Sequence, residues 1–112
     1  MHAMNIQQVM RTSPVIPVLT VTRLEDAAPL ARALVKGGLR VLELTLRTPC
    51  ALDAIAAMRA AAPDAIVGAG TLTRPGDFVA AARVGAQFAV TPGLTPALVE
   101  AAAKAPFPLL PG

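Results

Sequence analysis

The sequence predicts an α/β fold on a parallel sheet: a short N-terminal helix followed by about (βα)4β. Three observations lead there. Short β-rich runs recur at intervals of about 20 to 26 residues. Ala- and Leu-rich segments with helical periodicity lie between them. Proline, threonine and glycine punctuate the joins. Strands that alternate with helices of about a dozen residues read as βαβ units with right-handed crossovers.

Each element has its own signal. A short amphipathic helix is predicted at about Met4 to Met10. Strands are predicted from Val15 ("VIPVLTV"), Val41 ("VLELTL"), Ile66 ("IVGAG"), Phe88 ("FAVTP") and Pro108 ("PLLPG"). The first long helix carries the apolar stripe Leu24, Ala27, Ala31, Leu34, Val35. The second carries Leu52, Ile55 and Met58. The third carries Phe78, Val79 and Ala82, and the fourth Leu98, Val99 and Ala102. Thr48-Pro49 and Thr95-Pro96 each offer a hydroxyl cap followed by proline in the first turn. Thr73 is a third predicted cap. Gly37-Gly38 and Gly85 stand where helices need a left-handed residue to stop. Pro63 ends the second helix by restricting what precedes it.

Composition narrows the function classes. The 112 residues are one domain at most, and 54% of them are hydrophobic, which excludes a disordered chain. Apolar runs such as "ALDAIAAM" are broken well before the ~20 residues a membrane span needs. The start "MHAMNIQQVM" has no basic segment leading into an apolar core, so no secretory leader is expected. Met1 to Ala3 read as added residues or a flexible tail ahead of a start at Met4. Net charge is +3, with ten Lys and Arg scattered singly and no Trp or Tyr to stack on bases, so no nucleic-acid surface is expected. The single Cys50 excludes an internal disulfide and fits a reducing cytoplasm. One Cys and one His, His2, do not make a structural zinc site.

Two architectures compete for such a pattern: an open doubly wound sheet, and a (β/α)8, or TIM, barrel, which needs about 250 residues. The stretch "VLELTLRTP" favours the barrel. Side chains alternate along a strand, so Leu42, Leu44 and Leu46 share one face while Glu43, Thr45 and Arg47 share the other. A central strand of an open parallel sheet is apolar on both faces. A barrel strand has leucines under helices and a polar line climbing the interior to the mouth. The chain ends on a strand with no helix to cover it. Residues 1–112 therefore read as the N-terminal half of a single barrel.

The chemistry concentrates on that polar line. Glu43 and Arg47 lie about 13 Å apart along the backbone. An arginine fork holds a carboxylate, and a glutamate in a dry interior exchanges protons. An interior ion pair filling a barrel layer is the other reading, and the residues alone leave both open. "GAGT" (Gly68 to Thr71) ends the third strand with glycines and the Thr71 hydroxyl. It fails as a dinucleotide fingerprint, because Thr73 stands where a third Gly belongs. Tight strand packing is the favoured explanation of its glycines, ahead of backbone approach to a ligand. "TPG" (Thr91 to Gly93) marks a rim, since Pro92 donates to no ladder.

Together "PVIPVLTV", "GGLRVLELTLRTPCALDAI", "IVGAGTL", "GAQFAVTPGLTPALV" and "PLLPG" resemble the bacterial 2-keto-3-deoxy-6-phosphogluconate (KDPG) / 4-hydroxy-2-oxoglutarate (KHG) aldolase family, from about residue 12 to the last. The resemblance implies a class I aldolase. A Schiff-base lysine binds the keto group, and the products are pyruvate with glyceraldehyde 3-phosphate or glyoxylate. It implies that Glu43 is the general acid/base. Arg47 binds the keto-acid carboxylate, Thr71 lends a hydroxyl, and Pro92 lies at the pocket wall. It implies no metal or organic cofactor, and a trimer.

The resemblance implies a lysine on the sixth strand and a phosphate site built by the loops of the last strands, both past Gly112. Lys36 and Lys104 fall at helix ends leading into strands, at the bottom of the barrel, and the chemistry is at the top. The chain alone is therefore expected to be inactive and to self-associate through exposed strand edges. The competing functions are a non-catalytic half barrel, a doubly wound binding domain, and another sugar-phosphate barrel such as an epimerase.

Overall fold

A computed structural model describes residues 4–112. The expectation for Met1 to Ala3, and His2 with it, lies outside the described residues. Helix α1 (Ile6–Thr12) comes first, then β1 (Val18–Leu19). A single 3-10 turn at Leu24–Asp26 runs into α2 (Ala27–Lys36). After it come β2 (Val41–Thr45), α3 (Ala51–Ala61), β3 (Ile66–Gly70) and α4 (Pro75–Arg83). The chain closes with β4 (Ala89–Thr91), α5 (Pro96–Lys104) and β5 (Leu109–Pro111).

All neighbouring strands are parallel, and their order is β1-β2-β3-β4-β5. That order decides between the two architectures. A doubly wound sheet reverses direction at a switch point, which puts helices on both faces. Here the chain always steps the same way, so right-handed crossovers put every connecting helix on one face. The packing agrees. Ala27 and Ala31 of α2, Ile55 and Met58 of α3, Phe78 and Ala81 of α4, and Leu98 of α5 share one core with Leu42, Leu44, Val67 and Ala69. The fold is half of a (β/α)8 barrel.

The opposite face has its own smaller core at the N-terminal ends of the strands. Val41, Ile66 and Phe88 pack there against Val9 of α1, with Met4, Ile6, Ile16 and Val90 around them. Helix α1 thus plugs the bottom of the inner face. Room for this comes from β3, whose inward positions above Ile66 are Gly68 and Gly70. A methyl group at Gly68 would overlap the Phe88 ring. The favoured packing explanation of the "GAG" glycines is the one the coordinates give.

Several local expectations are corrected. Helix α1 begins at Ile6 rather than Met4, because Asn5 and Gln8 cap each other's backbone N–H groups, both at 2.9 Å. The strand from Val15 shrinks to Val18–Leu19, since Pro14 and Pro17 bring no donors to the ladder. Thr48 does not cap α3, whose N-cap is Cys50. Its hydroxyl donates to the Val21 carbonyl at 2.7 Å instead. Thr73 does not cap α4 with its side chain. The Asp77 carboxylate accepts from the Thr73 and Arg74 N–H groups at 3.0 and 3.1 Å. Thr95 does cap α5, accepting from Leu98 N–H at 3.2 Å.

Of the glycine pair, Gly38 alone is left-handed, with φ +100°, while Gly37 stays helical. Leu24, Val79 and Val99 are exposed although each falls on a predicted apolar stripe. Val79 and Val99 follow Phe78 and Leu98, and a step of one residue around a helix swings the second side chain off the sheet.

Gly68→Ala is expected to destabilise the fold by about 1–3 kcal/mol through overpacking against Phe88. A urea midpoint measures it, and Gly68→Ala with Phe88→Leu should recover part of the loss.

Candidate functional site

The site is built on the inner face of β2, above the plug. Leu42 and Leu44 lie in the helix-side core, with Leu46 packed against it. Alternation therefore turns Glu43 and Thr45 inward. Strand β2 is buried throughout, and Glu43 is 8% exposed. Its carboxylate leans up the ladder over Gly70, the partner of Thr45 on β3: a Cβ on Gly70 would come within 2.8 Å of the carboxyl carbon. Gly70 thus does for Glu43 what Gly68 does for Phe88.

Burial pushes the Glu43 carboxyl above the ordinary carboxylate range, and the positive charge of Arg47 pulls it partway back. Arg47 lies just past the end of β2 and is exposed at the mouth. The ion pairs formed among the described residues, Arg23–Glu25, Arg74–Asp77 and Lys104–Glu100, are elsewhere, on the surface. The reading of Glu43 and Arg47 as an interior pair that merely fills a layer therefore fails. One group is enclosed, the other is free at the rim, and they sense each other through space.

Two loops hold the Arg47 end of the strand. The Thr48 hydroxyl and the Cys50 thiol both donate to the Val21 carbonyl, at 2.7 and 3.2 Å. The β2–α3 loop is thereby fastened to the loop that follows β1.

Thr71 follows Gly70 with φ +62°. A β-branched residue rarely adopts a left-handed backbone, at a cost on the order of 1–3 kcal/mol. The kink breaks the alternation. Ala69 and Leu72 both enter the helix-side core, so Thr71 between them is left half-buried at the strand end. Leu72 N–H then donates to the Val90 carbonyl at 3.3 Å, keeping β3 joined to β4 beyond the kink. No glycine or asparagine marks this position, so the sequence carries no signal for the turn. Pro92 follows β4 and is exposed at the same end of the sheet.

Of the four residues singled out by sequence, Arg47, Thr71 and Pro92 lie just past the C-terminal ends of β2, β3 and β4, and Glu43 sits mid-strand in β2 with its carboxylate reaching Gly70, the last residue of β3. Sequence reasoning missed Thr20, which faces the same hollow from just past the end of β1. Its hydroxyl is 3.1 Å from that of Thr45. The signal available was the alternation of "VIPVLT", which puts Thr20 on the face opposite Leu19. Lys36 and Lys104 are the last residues of α2 and α5, both exposed and at the other end of the fold. Lys104 pairs with Glu100 one turn away at 3.3 Å.

Comparisons place this geometry among known proteins. The family model described as KDPG and KHG aldolase matches residues 6–112. The chain is 52% identical over 106 residues to the 2-dehydro-3-deoxy-phosphogluconate aldolase of Dickeya dadantii, covering 95% of this chain and 50% of that protein. The KHG/KDPG aldolase of Escherichia coli gives the same identity and coverage, 52%, 95% and 50%. Among solved structures, the Zymomonas mobilis 2-keto-3-deoxy-6-phosphogluconate aldolase with 3-phosphoglycerate superposes with a TM-score of 0.89 at 51% identity, over 96% of this chain and 51% of that one. The Legionella pneumophila KDPG aldolase, with pyruvate captured at low pH as a covalent carbinolamine intermediate, gives 0.88 at 49% identity, over 93% and 50%. The chain spans about half the length of the curated relatives it matches.

The raised Glu43 pKa makes a stability prediction. The folded state holds this proton more tightly than the unfolded state does. Glu43 therefore favours folding while protonated, and that advantage is lost as pH rises through the folded pKa. Glu43→Gln should melt higher than the parent near neutral pH, and the gap should close toward about pH 4, where both side chains are neutral. Thermal melts across that range test it.

Proposed function

This chain belongs to the KDPG and KHG aldolase family, and from that premise we propose that its inner face is one half of the active site of a class I aldolase. One observation supports the reading above all others. A carboxyl group, buried over Gly70 and holding its proton above the usual range, stands on the same strand face as an exposed arginine at the rim.

The substrate is a 2-keto acid with a hydroxyl two carbons beyond the keto group, KDPG or KHG. It is held as an imine on a lysine amine. Glu43 accepts the hydroxyl proton as the neighbouring carbon–carbon bond breaks. The electron pair of that bond flows into the iminium and leaves an enamine. The same carboxyl then returns its proton to the enamine carbon. Hydrolysis of the resulting imine releases pyruvate, and the aldehyde is glyceraldehyde 3-phosphate or glyoxylate.

Arg47 grips the carboxylate of the keto acid with its planar fork. Thr71 lends a hydroxyl from its kinked turn, and Pro92 walls the mouth. The imine-forming amine is assigned to neither Lys36 nor Lys104, since both lie at the opposite end of the strands from Glu43.

We further propose that the protein works in the cytoplasm and as a homo-oligomer, a trimer in the complete enzyme. The one unpaired cysteine is consistent with the first. Val79 and Val99, each at least half exposed on adjacent helices, are consistent with the second. No helix among the described residues is long and apolar enough to cross a membrane.

A chimera tests the reading by joining these residues to the remaining half of the Escherichia coli KHG/KDPG aldolase. It should release pyruvate from KDPG, and Glu43→Gln should slow it about 100-fold or more. An active chimera indifferent to that change would overturn the role of Glu43. With the 112-residue chain by itself, borohydride and pyruvate should leave Lys36 and Lys104 unmodified by intact mass. A stoichiometric adduct on either would overturn the placement of the amine.

A further inference from the structure

The inner face holds a second polar pair that the reaction above leaves unused. Thr45 lies between Glu43 and Arg47 on the inward line of β2 and is 1% exposed. Its hydroxyl meets that of Thr20 at 3.1 Å. The register pairs Val18 with Glu43 and Leu19 with Leu44, which sets Thr20 opposite Thr45.

Two hydroxyls bring two protons, and their mutual bond uses one. A buried hydroxyl needs an internal acceptor for its proton, and Thr20 is the acceptor at hand for Thr45. Thr20, by contrast, is exposed. Its own proton is therefore free to point into the hollow. Val18, two residues earlier on the same face of β1, is 63% exposed and gives the hollow an apolar surface beside Glu43.

From the plug toward the mouth the wall thus runs apolar at Val18, hydroxyl donor at Thr20 and cation at Arg47. A 2-keto acid runs in the same order: methyl, keto oxygen, carboxylate.

We propose that Thr20, oriented by Thr45, is a binding residue that donates a hydrogen bond to the keto oxygen of the 2-keto acid, with Val18 against its methyl carbon. The proposal rests on the aldolase reading of this site. A neutral donor there orients the carbonyl and draws electron density from its carbon before an amine attacks. Thr45 acts through Thr20 and is a positioning residue.

The test uses the 112-residue chain, with pyruvate and propionate as probes in an NMR titration. Propionate keeps the carboxylate and lacks the keto oxygen. Pyruvate should shift signals of Thr20, Thr45, Glu43 and Arg47. Thr20→Val should weaken pyruvate about 3- to 10-fold, the range of one neutral hydrogen bond, and leave propionate unchanged. Thr20→Ser should restore pyruvate affinity, which a purely structural role would not predict. Arg47→Leu should weaken both probes.

If Arg47→Leu weakens both and Thr20→Val changes neither, the Thr20 proposal is overturned and the aldolase reading stands. If pyruvate leaves Glu43 and Arg47 unshifted, or fails to bind, both are overturned.

Discussion

A carboxylate can stand on the inner face of this sheet because the strand beside it has no side chains there. Gly68 and Gly70 leave a strip of bare backbone on β3, which the Phe88 ring covers from one side and the Glu43 carboxyl from the other. With larger residues at those positions, the ring would be forced off the plug and the acid out toward solvent. The hydrophobic bottom and the polar upper site both depend on this strip. The burial it permits is also what raises the Glu43 pKa. One packing solution thus sets position and proton affinity together.

The two faces of the sheet divide their work by what covers them. Four helices seal the outer face, so its residues are apolar: leucines, valine and alanine from the strands, and alanines with Ile55, Met58 and Phe78 from the helices. The inner face is sealed only at its lower end, by α1. Polar groups become affordable above that level, where Glu43, Thr45 and Thr20 follow one another toward Arg47. The sequential strand order makes this possible, because it keeps every connecting helix off the inner face.

Much of this was legible in the sequence wherever a single periodicity decided the outcome. Alternation in "VLELTLR" assigns the faces of β2, and the coordinates agree residue by residue. The helix and strand sequence, the Thr95 cap and the left-handed Gly85 follow from local chemistry in the same way. What escaped depended on competition between partners. Thr48 had the right type and place for a cap, but the Val21 carbonyl, 27 residues earlier in the chain, took its proton. Thr73 lost its expected role because the helix is capped one residue later, at Arg74, and the Asp77 carboxylate reaches back to the Thr73 and Arg74 N–H groups. Thr71 was identifiable as a rim hydroxyl, yet its left-handed backbone was not, since propensity argues against it and only the packing of Leu72 and the bond to Val90 enforce it. Thr20 escaped because its meaning arises only across the ladder, from Thr45.

The double anchorage on Val21 has a mechanical corollary. A carbonyl oxygen has two lone pairs, and here one loop occupies it with both a hydroxyl and a thiol. Such a joint resists rotation as well as pulling, as two rivets do where one would pivot. The backbone under Arg47 inherits that stiffness from its neighbour, while the guanidinium at the tip of its chain stays free to swing. The cation at the doorway is a supple arm on a rigid shoulder.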